Sequence, residues 1–161
     1  MSNLTLFSGT EVTVQDQQEK VQRLEDFLLQ LPQADIKTEH TFKPGIYERT
    51  ITIPPWTILT GAPHKTDYIV RHEKGKTTFT TDDGVKTLEA PSTFQAKKGT
   101  KRAGYSYEEE VVWTDIYENL DDCTDLDILE SRLYIIPSCG LGENRKKLVN
   151  SQQQILDLGE A

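Results

Sequence analysis

The chain has 161 residues, of which 35% are hydrophobic and 27% charged; this suits one soluble domain with additions at its ends and is too short for two comfortable cores. Eighteen basic against 26 acidic side chains leave a net charge of -8, a balance that repels a phosphate backbone and argues against nucleic acid as a partner. No apolar run approaches the roughly 20 residues a bilayer requires, and the opening MSNLTLFSGTEV lacks the basic and apolar blocks of a signal peptide. No membrane contact and a cytoplasmic location are therefore expected.

From Thr13 to Leu31, Val14, Val21, Leu24, Leu28 and Leu31 recur at spacings of three, four and seven, which predicts an amphipathic helix stopped by Pro32. Thr13 with Asp16 offers an N-cap. The same residues could fill the a and d positions of a short coiled coil, but packing on the rest of the domain is the plainer reading. Residues 1–32 thus form a helical extension.

Residues 33–119 change texture to short β-rich runs punctuated by turn residues, the pattern of an antiparallel barrel or sandwich. Strands are expected at 40–42, 46–53, 57–60, 67–72, 76–81, 84–89, 92–96, 102–106 and 111–117. Lys43-Pro44-Gly45, Glu73-Lys74-Gly75, Asp82-Asp83-Gly84 and Lys97-Lys98-Gly99 supply reversals, and residues 80–85 read as a hairpin. Trp56 and Trp113 are expected in the core.

Within 120–136, Thr124 and Asp127 suggest a capping box, and Leu126, Leu129 and Leu133 share one face of a second helix. Residues 137–161 form a polar tail whose Leu148, Ile155 and Leu158 are too sparse for a core. The acidic series Asp115, Glu118, Asp121, Asp122, Asp125, Asp127 and Glu130 has no EF-hand spacing and reads as a solvated face. Cys123 and Cys139 lack metal-ligand spacing and are expected as ordinary thiols.

The stretch from Trp56 to Gly75 has the spacing of the first cupin motif: a glycine, His-x-His, a glutamate and a closing glycine. His64 and Gly75 match, whereas Trp56, Ala62 and Tyr68 stand where glycine, histidine and glutamate are usual. Gly99 matches the internal glycine of the second motif, and Arg102 falls near its histidine. Over roughly residues 12–133 the chain resembles the cupins, and in particular the small single-barrel cupin-like proteins of tailed bacteriophages. The resemblance implies a mainly β chain: one jelly-roll β-barrel with an N-terminal amphipathic helix and a C-terminal helix, pairing into a dimer or higher homo-oligomer. It also implies a phage protein located in the host cytoplasm or the virion.

The cupin metal sits on three histidines and a carboxylate, and one of those four survives here. No metal, no other cofactor and no catalytic residue is therefore assigned; a rescue would need Asp67, His72 or Glu108 to turn inward. His64, Tyr68 and Arg102 are instead the candidate ligand-binding set, an imidazole, a phenol and a guanidinium suited to an anion or a hydroxylated ligand. The plainer expectation for Arg102 is an internal pair with Glu108, Glu109 or Asp67. Lys97, Lys98, Lys101 and Arg102 are expected as a solvated basic turn, and His40 and His72 receive no role.

Two main functions compete at this level. The first is a non-enzymatic phage accessory or virion-associated protein that assembles with itself or with phage or host proteins. The second is a small-molecule binder, or a metal-independent enzyme, that uses the barrel pocket, and it requires a hollow barrel. A metal-dependent cupin enzyme is disfavoured by the donor count. No Gly-x-Ser-x-Gly, P-loop or Gly-x-Gly-x-x-Gly is present.

Overall fold

The structure is a computed structural model that describes residues 14–135. The readings placed on Thr13, on Cys139 and on the tail lie outside the described residues. Helix α1 spans Val14–Leu28, strands β1 to β9 span Lys37–Lys43, Ile46–Ile53, Ile58–Thr60, Tyr68–Lys74, Lys76–Thr81, Gly84–Glu89, Ser92–Ala96, Ala103–Ser106 and Val111–Glu118, and α2 spans Leu126–Leu133. No helix among the described residues is long and apolar enough to cross a membrane.

The strands form two antiparallel sheets, ordered β1-β2-β9-β4-β7 and β3-β8-β5-β6. Strands distant in sequence are neighbours in each sheet: β9 lies between β2 and β4, and β8 between β3 and β5. This is the jelly-roll arrangement expected from the sequence, one mainly β barrel flanked by two helices. Register follows the side-chain alternation of a half-buried sheet. On β2, Tyr47, Arg49, Ile51 and Ile53 face inward, paired across to Tyr117, Asp115, Trp113 and Val111 on β9. On β4, Tyr68, Val70 and His72 share that inner face, each buried.

The chain passes from the first sheet to the second at Gly75, whose φ of +82° lies in the left-handed region. A Cβ there would run into the carbonyl of Glu110, so both conformation and space require glycine. The hairpin expected at 80–85 is present, with Thr81 opposite Gly84.

Helix α1 packs on the barrel, burying Val21 and Leu28 completely or nearly so. Each such side chain contributes about 1.5–3 kcal/mol. The helix ends at Leu28, short of Pro32, and the next turns tighten through Gln30 N–H to Phe27 O and Leu31 N–H to Leu28 O. The Gln33 side-chain amide then donates to the carbonyls of Leu28 and Leu31 at the helix end. At α2 the cap is Asp125 rather than Thr124. Its Oδ1 accepts from the amides of Asp127 and Ile128, because the carboxylate one residue closer to the helix reaches both donors. Leu129 and Leu133 are buried, while Leu126 remains exposed.

Trp56 departs from expectation. It is 61% exposed, at the tip of the β2–β3 turn with φ +52°, and its amide is tied to Tyr107 O. The turn geometry directs the indole outward, where its ring meets Tyr107 edge-on. Trp113 does join the interior, packed edge-on against Phe79 and Phe94.

Candidate functional site

Between the sheets the barrel is hollow. A cavity of about 510 Å³ is walled by inward residues of β2, β4, β5, β8 and β9, with α1 across it through Gln22 and Glu25 and with Leu29 just past the helix end. That volume falls within the range of small-molecule sites, about 300–1,000 Å³. After α2, Tyr134 forms a bridge with His64, held by Lys65 N–H to Leu133 O and Ile135 N–H to Pro63 O.

His64, Tyr68 and Arg102 all line this cavity. The His64 ring stacks on Tyr68 with centroids 3.9 Å apart. The Arg102 guanidinium lies within hydrogen-bonding influence of the Tyr68 phenol and donates through Nη1 to Thr80 O at 3.2 Å. Burial, reinforced by the nearby Asp115 carboxylate, pushes the Tyr68 phenol above its ordinary range, so it stays protonated.

Two further residues complete the constellation. Arg49 of β2 and Asp115 of β9 line the same cavity, opposite each other in the sheet register. Asp115 accepts from Trp113 Nε1 at 2.9 Å and from the Tyr117 hydroxyl at 3.1 Å. Because that hydroxyl has one proton and gives it to the carboxylate, it accepts from His64 Nε2 at 2.8 Å. His64 is therefore the Nε2–H tautomer, and Nδ1 is left as its acceptor. Burial first, then the Arg49 and Arg102 charges, lower its pKa to about 3, so the ring is neutral. Asp115 itself is pushed upward by burial, against the pull of Arg49.

The alternation could have revealed both residues. Arg49 has the parity of Tyr47 and Ile51, and Asp115 that of Trp113 and Tyr117. Asp115 belongs to the buried wall, at 7% exposure, and not to the solvated acidic face. Charge alone suggested solvent, but its strand position turns it inward.

Arg102 does not take the internal partners expected of it. Asp67 is exposed and accepts from the Lys98 amide, and Glu108 and Glu109 are exposed as well. The basic turn also divides. Lys97 and Lys98 remain exposed, whereas Lys101 pairs with Glu25 of α1 at 2.7 Å, both side chains largely buried. Thr60 Oγ1 donates to the same carboxylate at 2.8 Å, which holds α1 on the barrel.

The carboxylates that line the cavity are thus engaged elsewhere: Glu25 with Lys101 and Thr60, Asp26 with Gln22, Asp115 with Trp113 and Tyr117. Arg49 and Arg102 each retain a buried Nε with no hydrogen-bond partner among the described residues. Guanidinium is charged at every accessible pH.

This donor set does not fit the cupin metal. Among the described residues no group of three or more His, Cys, Asp and Glu side chains could hold an ion. His64 spends Nε2 on Tyr117, Asp67 and Glu108 face solvent, and two guanidinia line the space where an ion would sit. His72 does turn inward, but it packs against Trp113 with its Nε2 unpartnered.

No protein-family model and no curated protein matches the chain. Solved structures to which it is similar include KdgF from Halomonas sp., at 13% identity and TM-score 0.45 over 52% of this chain and 80% of that one. The Cupin_2 domain of an XRE family transcriptional regulator from Enterobacter cloacae is 14% identical, TM-score 0.45, over 53% and 97%. An HTH_3 family transcriptional regulator from Vibrio cholerae is 14% identical, TM-score 0.47, over 74% and 72%. At such identities these likenesses bear on neither ligand nor activity.

Proposed function

We propose that the barrel is a metal-free binding site for a small organic anion. One observation carries this reading: two permanently charged guanidinia line a hollow, mostly apolar cavity, each with a buried Nε that has no hydrogen-bond partner among the described residues, while Asp115, the carboxylate whose charge acts on both, is held by Trp113 and Tyr117. A buried guanidinium with an open donor is costly, and a ligand carboxylate supplies the missing acceptor. Trp56, which could have filled the barrel, is outside it. Titration calorimetry and thermal unfolding with a panel of small carboxylates, sulfate and phosphate test the reading. A ligand at a hundredfold excess over its Kd is expected to stabilise the protein by about 2.7 kcal/mol. Arg102→Met is expected to remove that gain. The reading fails if none of these anions raises the unfolding temperature, or if the variant binds as well as the parent.

Assembly is the second reading, favoured by the outside of the larger sheet. Ile46 of β2 and Ile69 of β4 are 37% and 45% exposed, and Ile116 of β9, paired with Ile69, lies between their strands on the same outer face. We infer that a second copy of the chain covers this diagonal. Light scattering is then expected to give twice the chain mass for the parent and the chain mass for Ile69→Lys. A monomeric parent removes the reading.

A further inference from the structure

We propose that the occupant of the barrel is a hydroxy-carboxylate, a small acid whose carbon chain bears at least one free hydroxyl. This deepens the anion reading above and rests on it. The guanidinia account for the carboxylate, but they leave a second part of the wall unexplained. With Nε2–H committed to Tyr117, His64 offers the cavity an acceptor, Nδ1, which has no hydrogen-bond partner among the described residues. A simple carboxylate has no proton to give it. A ligand hydroxyl does, and it can in turn accept from the Tyr68 phenol stacked against the same imidazole.

The remaining lining sets the rest of the ligand. Ile51, Ile53, Leu59 and Phe79 present hydrocarbon, which suits the C–H faces of a short chain, and Lys101, a further cation of the lining, is already paired with Glu25. Guanidinium and carboxylate therefore meet at Arg49 and Arg102, hydroxyl at His64 and Tyr68, and carbon at the aliphatic wall. The ring cannot substitute for a cation here, since it is neutral and flanked by two positive charges.

Calorimetry with gluconate, hexanoate, glucose and phosphate separates the parts, because the first three share a carbon count and differ in carboxylate and hydroxyls. Gluconate is expected to bind at least about tenfold more tightly than each of the others. His64→Phe is expected to bring gluconate down to the hexanoate level, and His64→Gln, which restores an acceptor, to recover part of the difference. A purely structural role for His64 would weaken both acids equally and would overturn the assignment. Hexanoate binding as tightly as gluconate, with both lost in Arg102→Met, also overturns the hydroxyl class while the anion reading stands. Failure of every anion, phosphate included, overturns both.

Discussion

Asp115→Leu is expected to cost about 3–5 kcal/mol of folding stability in urea unfolding, because it breaks a buried polar network from one side. The side chain holds Trp113 Nε1 and the Tyr117 hydroxyl, and its charge acts on Arg49 and Arg102. Removing it leaves two donors without their acceptor and takes away a carboxylate whose charge acts on both guanidinia. Tyr117, only 2% exposed, cannot turn to water to compensate. The isosteric Asp115→Asn keeps one acceptor oxygen and loses the charge, so it is expected to fall between parent and Leu variant. A loss below about 1 kcal/mol for Asp115→Leu would mean that the network contributes little to the fold.

The second large effect is on the acid limb of stability. With a pKa of about 3 in the folded protein against an ordinary 6.5, His64 takes up a proton in the unfolded chain long before it does so in the barrel. Stability is therefore lost as pH falls from 6.5 towards 3, and this group is without effect above that window. At 1.36 kcal/mol per pKa unit its contribution is roughly 4–5 kcal/mol, most of it already spent by pH 4. His72 and His40 are shifted down as well, chiefly by burial, and add in the same direction. Asp115 and Glu130, both raised chiefly by burial, oppose it: the protonated forms they favour are worth most in acid. His64→Phe removes this titration alone, so its unfolding free energy is expected to decline less steeply with acid than that of the parent. The comparison is made by urea titrations at several pH values from 7 to 4. Parallel curves for the two proteins would show that His64 is not held neutral by the barrel.

The pocket is where sequence and structure diverge in an instructive way. His64, Tyr68 and Arg102 could be placed together because the spacing of a known motif aligns them. Arg49 carries no such mark, and Asp115 stands in an acidic run that suggests solvent. Strand parity turns both inward, but only the pairing of β2 with β9 brings Arg49 opposite Asp115. Lys101 is a similar case. Its neighbours at the turn are solvated, yet Glu25, 76 positions earlier, draws it inward.

What the amino-acid order by itself determined is the local and the periodic: two helices, nearly every strand, the glycine reversals, and the loss of three of four metal ligands. Those features depend on neighbours a few residues apart, so propensity and alternation suffice to express them. The tertiary structure alone decided that the barrel is hollow, that Trp56 points away from it, and that two guanidinia line its wall, each with a buried Nε unpartnered among the described residues. Such outcomes depend on which distant strands pair and on where each charge finds its hydrogen bonds, and long-range pairing of that kind is set by the whole packed sheet rather than by any segment of it.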